Sequence, residues 1–473
     1  MPSARNWGNI CMFRGATNRS KEPLTSLGTG VNLGRRTRIV PIAIPDSYRK
    51  RHTFVFGTTG VGKTRLCENL IEQDIRKGYS VVYFDPKGDQ QIFTKIYEVA
   101  REAGRQDELM LVTPIFPEYS AVVDPIAFYF MPDELVGHIV SGILGGREPF
   151  YRNIAKEITT AVISAYIILA RKHGNLPLMN IDTIRQRIRR ESLETTMKSL
   201  RSIGTPEAEL TAGMLEDILK SPLEYYAKVS STLRTALMEL SSGNIGKIIG
   251  QADSNRFIKN LEAGKRVILV VHTGAMITRE ASATLGKVLL SMIQSFVGRV
   301  YLSNRQKVDP PLSIFIDEAQ SLLYQGVEEL FAKAGSAEVM VTAFAQSVNQ
   351  IYAVIGEEFG KSILDNTNTK LFMRCSDAET SDYVVKHFGV QNVLTGIFGS
   401  NQVTTREVEQ DILRVQDVLS LQPREFYLLT YSGRYQGRTL EARPPRIKII
   451  FPAAPAVITS MLAAIPERAE EIP

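Results

Sequence analysis

Residues Gly57-Thr-Thr-Gly60-Val-Gly62-Lys63-Thr64 gather glycines, one lysine and a terminal hydroxyl in a single short run. The run matches G-x-x-x-x-G-K-[S/T] without a mismatch, and its flanks are appropriate to that motif. His-Thr-Phe-Val-Phe before it reads as a buried strand, and Leu66, Leu70, Ile71 and Ile75 after it recur at helical spacing. Glycine lets the backbone curl until its N–H groups converge on phosphate oxygens, and a helix beginning near Gly62 adds its positive end. Lys63 is expected to reach the β/γ-phosphates as a point charge, and the Thr64 hydroxyl to ligate Mg²⁺. Gly57, Thr58, Thr59, Gly60, Val61, Gly62, Lys63, Thr64 and Arg65 together are the expected lining of a nucleoside triphosphate site.

A second set of residues supplies what such a loop lacks. Leu312-Ser-Ile-Phe-Ile316-Asp317-Glu318 is an apolar strand ending in adjacent carboxylates. Asp317 is expected to hold the Mg²⁺ shell and Glu318 to orient and deprotonate the attacking water. By itself a strand ending in Asp-Glu is often a helix cap. Beside a phosphate loop, the doublet argues for hydrolysis by this chain. Gln346, closing the strand Glu338–Ala345, is expected to report hydrolysis to neighbouring elements or else to start a turn. Arg374, at the exit of the strand Lys370–Arg374, reads either as a finger into a neighbouring subunit's site or as a surface ion pair.

These residues need a scaffold of strands alternating with helices. Ser80–Phe84, Leu109–Val112 and Lys265–Val271 read as further strands. Helices are expected over Ile92–Val99 and Glu280–Val297. Between them, strand signals vanish from about Tyr151 to Leu240, where helices are expected over Ile158–Leu169, Ile184–Leu200 and Leu223–Leu240. The fold class is therefore α/β, a P-loop NTPase domain with a mostly parallel central sheet and an inserted all-α domain. Residues 1–39 form a basic segment, 40–145 and 246–452 the two parts of the nucleotide-binding domain, 146–245 the insertion, and 453–473 a tail. Val40–Ile44 reads as an edge strand entering the fold. Arg35, Arg36, Arg38, Arg49, Lys50 and Arg51, and separately Arg185, Arg187, Arg189 and Arg190, are either solvated basic faces or contacts for an anionic partner.

Composition decides less. The chain has 473 residues, a net charge of +6 and 44% hydrophobic content, which suits two or three globular domains and mildly favours an anionic partner. Its 3 cysteines have no C-x-x-C spacing and its 5 histidines no ligand spacing, so neither a disulfide framework nor a zinc site is expected. The charge-free run Ile158–Ala170 falls short of the ~20 residues a membrane span requires. Pro452 and Pro455 break the run Ile449–Ile465. No transmembrane segment and no signal peptide are expected.

The combination and order of these elements resembles the coupling ATPases of type IV secretion and conjugation, the TraD/TraG group of the RecA-like FtsK/HerA superfamily. Beyond the phosphate loop, the resemblance rests on Asp85-Pro-Lys-Gly-Asp89, the helical insertion, and Phe315-Ile-Asp317-Glu318-Ala-Gln320. It also rests on Gln346-Ser347, Asn366–Arg374, and a closing hairpin within Leu419–Pro444. It implies ATP and Mg²⁺ as cofactors, a ring that is usually hexameric, and sequence-independent DNA as cargo. The implied partners are relaxase or relaxosome proteins and type IV secretion channel components. The implied location is the cytoplasmic side of the bacterial inner membrane, as a peripheral protein. Alternatives are a HerA- or VirB-type ATPase for protein secretion or DNA repair, and a nucleotide-gated substrate receptor. Two departures stand out. Members usually carry N-terminal membrane helices, and relatives often place an arginine finger where this chain has Leu330-Phe-Ala-Lys333-Ala-Gly335. Either Lys333 or Arg374 is then the trans-acting charge.

Overall fold

The computed structural model describes residues 22–34, 38–143, 149–175, 179–250, 254–398 and 403–451. The strands in chain order are β1 (Leu24–Asn32), β2 (Val40–Pro45), β3 (Thr53–Phe56), β4 (Ser80–Asp85), β5 (Leu109–Val112), β6 (Ile268–His272) and β7 (Leu312–Ile316). They continue with β8 (Val339–Ala345), β9 (Thr369–Phe372), β10 (Val390–Phe398), β11 (Val403–Asp411), β12 (Glu425–Thr430) and β13 (Gly433–Thr439). One 11-stranded sheet takes the order β2-β1-β13-β12-β9-β3-β8-β7-β4-β6-β5. From β9 to β5 all neighbours are parallel, and from β12 to β2 they are antiparallel.

The parallel strands are apolar on both faces because both faces are covered. Along β3, Phe54 and Phe56 enter one core and Val55 the other; along β4, Val82 and Phe84 part in the same way from Val81 and Tyr83. The helices Lys63–Arg76 and Gln90–Glu102 cover the second face with Leu66, Leu70, Ile71, Ile92, Ile96 and Val99. The long helix Arg279–Leu302 covers the first through Leu285, Val288, Leu289, Met292 and Phe296. The α/β architecture expected from the sequence is the one observed, with the helical segments from Pro149 to Ser241 joined to that first core.

Several local expectations change. The expected helix Ile184–Leu200 is two helices, Ile181–Arg187 and Arg190–Arg201, because Arg189 is extended at ψ 140°. The Ile188 carbonyl freed there accepts the buried Tyr226 hydroxyl at 2.5 Å. Leu223–Leu240 likewise divides at Ser230 into Leu223–Val229 and Ser231–Ser241. A further helix, Pro206–Lys220, lies between these segments. The helix Pro149–Lys172 is longer than its charge-free run. By length and composition Phe150–Lys172 suffices to cross a membrane, and half of its most apolar window is buried in the protein.

The basic run is largely absorbed by the fold. Arg185 pairs with Asp182, Arg187 lies 4.4 Å over the Tyr166 ring, and Arg190 donates to the Leu219 and Ser221 carbonyls. Arg189 is exposed. Arg49, expected as part of a basic surface, is 3% exposed and clamps buried Asp74 with two bonds of 2.6 Å. Val40–Pro45 is the outermost strand of the sheet, as expected. Strand β1 was not expected, because Gly28 and Gly30 break its apolar alternation. They are needed there: a Cβ at Gly28 would lie 1.9 Å from the Arg438 carbonyl oxygen. Arg35, Arg36 and the tail 453–473 lie outside the described residues.

Candidate active site

Parallel strands align their carboxyl ends, and ligands of such sheets sit there, where the strand order reverses. β3 lies between β9 and β8, while β7 lies between β8 and β4. The exits of these strands carry the phosphate loop, Arg374, Gln346, the Asp317-Glu318 pair and Asp85, so the topology brings to one edge residues widely separated in sequence.

The loop is held through its backbone. Gly57 N–H donates to the Ala345 carbonyl at 3.2 Å and Thr58 N–H to the Arg374 carbonyl at 2.9 Å. The neighbouring strands thus set where the loop leaves the sheet. Gly60 and Gly62 have φ of 82° and 107°, the left-handed region that favours glycine. Gly62 caps the helix Lys63–Arg76 without a side-chain partner, leaving the first N–H groups of that helix pointed into the loop. Lys63 is 7% exposed, and its ammonium donates to the Gly57 and Thr58 carbonyls at 2.5 and 3.0 Å. Burial draws its pKa below the usual lysine range, against the pull of Glu318 and Asp317.

The acidic half is rooted by the Asp317 N–H, which donates to the Phe84 carbonyl at 3.0 Å, and its carboxylates are held by side chains and the Glu318 N–H. Asp317 is 5% exposed, and its carboxylate accepts the Glu318 N–H at 3.0 Å. Burial raises its pKa to about 6, with Lys87 opposing the rise and Glu318 and Asp85 adding to it. Glu318 sits in the left-handed region at φ 45° and forms an ion pair with Lys87 at 2.5 Å. Its carboxylate also accepts from the amides of Gln320 at 2.6 Å and Gln346 at 3.4 Å. Burial acts to raise its pKa, but Lys87 and the Gln320 amide outweigh burial and hold it below the usual glutamate range. One carboxylate is thereby inclined toward protonation and its neighbour toward the charged form.

The remaining expected residues fall as follows. Thr64 is half-buried on the first turn of the loop helix, while Thr59 and Gly60 are exposed. The Arg65 guanidinium is committed to Glu68 at 2.9 and 2.8 Å and reaches Gln91 at 3.2 Å. Gln346 joins the cluster through Glu318. Arg374 is exposed, and its contribution to the loop comes from its carbonyl, which accepts both the Thr58 N–H and hydroxyl. Lys333 is 70% exposed and pairs with Glu329 on its own helix.

Lys87 was not assigned a role from the sequence. It follows β4, whose end is anchored by Asp85, a carboxylate accepting the Lys87 and Asp89 N–H groups at 2.9 and 2.6 Å. Only the adjacency of β4 to β7 shows that Lys87 meets Glu318; the available signal was the Asp85-Pro-Lys-Gly-Asp89 run itself. Arg424 is a second such residue: its N–H donates to the Val61 carbonyl at 2.8 Å, and its side chain lies against Gly62.

Comparison with known proteins adds the following. Residues 311–423 match the family described as the TraM recognition site of TraD and TraG. Residues 31–127 match the central domain of helicase HerA. The type 4 coupling protein DotL of Legionella pneumophila is 21% identical over 463 residues, covering 84% of this chain. The alignment takes in 58% of DotL, so the chain spans less than two thirds of the length of that relative. Among solved structures, the conjugative coupling protein TrwB superposes with a TM-score of 0.64 at 16% identity, covering 93% of this chain and 98% of that one. TrwB has also been solved with ADP and Mg²⁺ and with the ATP analogue ADPNP. VirB4 of Thermoanaerobacter pseudethanolicus superposes with a TM-score of 0.52 at 12% identity, covering 90% of this chain and 99% of that one. At these identities the superpositions establish the fold.

Proposed function

We infer that this chain, which its domain matches and its relatives support as a type IV coupling protein of the HerA/FtsK superfamily, hydrolyses ATP with Mg²⁺ to move DNA toward a secretion channel. The observation that carries this reading is the convergence of Gly57–Thr64 with Asp317, Glu318 and Lys87 at one sheet edge. The donor set fits the cofactor: the Thr64 hydroxyl and the Asp317 carboxylate are hard oxygen ligands, and Mg²⁺ characteristically takes one or two such groups alongside phosphate and water. Bound Mg²⁺ would shield charge between the phosphates.

The chain's own residues do the rest. The loop N–H groups and the Lys63 ammonium hold the phosphates, with Lys63 exchanging the Gly57 and Thr58 carbonyls for phosphate oxygens. Glu318, kept ionised, accepts a proton from the attacking water, while Gln320 and Gln346 hold its carboxylate in place. Arg374 is free to reach a neighbouring protomer, which suits a trans-acting charge better than Lys333, already paired within its helix. The reading includes a ring of such chains at the inner membrane and cargo of DNA or relaxase-bound DNA, contacted through phosphate and therefore in a salt-dependent way.

Steady-state ATPase activity with and without single- and double-stranded DNA, over a range of protein concentration, tests this. Stimulation by DNA that rises with protein concentration and is lost in Lys63→Ala and Glu318→Gln is expected. Turnover indifferent to DNA would replace the DNA motor with a protein-secretion ATPase. Nucleotide binding without turnover would leave a substrate receptor.

A further inference from the structure

The helix Arg279–Leu302 runs between the sheet and the helical segments, and Lys287 is out of keeping with its apolar surroundings. Its side chain is 8% exposed, and among the described residues its ammonium has neither a hydrogen bond nor an ion pair. Lysines this enclosed are ordinarily paired, because drawing the charge away from water is costly without compensation. Burial brings Lys287 down to about 8, with no carboxylate among the described residues near enough to offset it.

Lys287 borders a cavity of about 100 Å³ whose polar lining includes Ser141, Tyr151, Arg152, Thr232 and Tyr324. Among the described residues, no aspartate or glutamate lines it. Arg152 is fixed in place by donating to the side-chain and main-chain oxygens of Gln325, both at 2.7 Å. The Tyr324 hydroxyl donates to Gln294 at 2.6 Å. The described lining therefore presents positive charge and hydroxyls without a carboxylate, in a space that suits several waters or one small ion and is too small for a nucleotide.

We propose that this cavity is a binding site for a small oxyanion of the phosphate class, neutralised by Lys287. Its walls come from the ends of the helices Pro132–Ser141, Pro149–Lys172 and Ser231–Ser241, and from segments leaving the candidate active site. Leu323, Tyr324 and Gln325 follow Glu318, and Val354 and Ile355 close the helix that follows Gln346. An anion held there ties the helical segments to both strand exits that orient Glu318. The proposal does not rest on the ATPase reading, since the site is separate from the phosphate loop and is probed without nucleotide.

Thermal unfolding with inorganic phosphate, against chloride at matched ionic strength, tests it in a Lys63→Ala background that weakens the phosphate loop. Phosphate is expected to raise the Tm of Lys63→Ala and to lose this effect in Lys63→Ala/Lys287→Met, where an apolar side chain fills the same space. Lys63→Ala/Lys287→Arg, which keeps the charge, retains it. Should the Met variant not fold, Lys287→Gln gives the same readout. Phosphate titration followed by ³¹P line broadening measures occupancy directly. A phosphate shift that survives loss of the Lys287 charge overturns the proposal, as does the absence of any shift in Lys63→Ala: the cavity then holds water only.

Discussion

The two halves of the candidate site are held by different means. The phosphate loop is pinned by main-chain bonds from Gly57 and Thr58 to the ends of β8 and β9, and by glycine conformations. The acidic half has one main-chain anchor, the Asp317 N–H donating to the Phe84 carbonyl, and beyond it the Glu318 carboxylate is held by side chains: Lys87 and Gln346 from neighbouring strand exits, the latter at the limit of hydrogen bonding, and Gln320 from its own segment. Main-chain anchoring makes a preorganised cradle, across which the Lys63 ammonium bridges the Gly57 and Thr58 carbonyls. A side-chain cluster can rearrange between states and can be retuned by one substitution. Under the proposed function, binding falls to the rigid half and the timing of hydrolysis to the adjustable one.

Substitutions that separate the two halves test this division. Glu318→Gln is expected to reduce turnover by about 100- to 10,000-fold while nucleotide affinity changes little, as read by single-turnover kinetics and calorimetry. Lys63→Ala is expected to cost about 100- to 1,000-fold in turnover and to weaken nucleotide binding as well. Equal losses of affinity in both variants would erase the distinction. Gly57→Ala strikes the rigid half without touching a charge. The new methyl would lie 2.9 Å from Met373 Cβ and 3.0 Å from Val61 Cγ2. A destabilisation of about 1–3 kcal/mol in denaturant unfolding is expected, with weakened nucleotide binding.

Lys87→Ala strikes the adjustable half. Lys87 is 47% exposed, so its pair with Glu318 is partly screened, and a change in turnover of about fivefold with unchanged affinity is expected. The smallest effect concerns acid sensitivity beneath the loop. His52, at φ 60°, accepts the Val341 N–H on Nδ1 at 3.1 Å, linking the approach to β3 to β8. Burial lowers its pKa to about 4 from 6.5. The folded protein therefore favours neutral His52, and that contribution to stability is present above the unfolded value and is lost as pH falls from 6.5 toward 4. His52→Asn, compatible with the left-handed backbone, is expected to flatten the decline of Tm over that window.

Much of this site was legible in the chain because its chemistry is local. Gly57–Thr64 carries its own turn conformations, phosphate donors and helix start within one contiguous run. The apolar runs of β3, β4, β7 and β8 identify themselves because both sides of a parallel strand are buried. β1 was hidden for the opposite reason: its glycines weaken the local strand signal, and only close approach to β13 explains them. Among the described residues the hairpin strands β10 and β11 pair with each other and stand outside the main sheet, so they lack a buried strand's apolar pattern. The breaks at Ser230 and Arg189 were equally silent, because helical periodicity continues across them while the tertiary contact of Tyr226 with Ile188 does not appear in either segment alone.

The sequence by itself determined that a glycine-lysine loop motif and a carboxylate doublet exist and that an α/β sheet carries them, because motif spacing and burial periodicity are properties of adjacent residues. Only the tertiary structure decided that Lys87 meets Glu318, that Arg65 is spent on Glu68, and that Lys287 has no carboxylate partner among the described residues. Each depends on which strands and helices become neighbours, and strand order is set by packing across the whole chain.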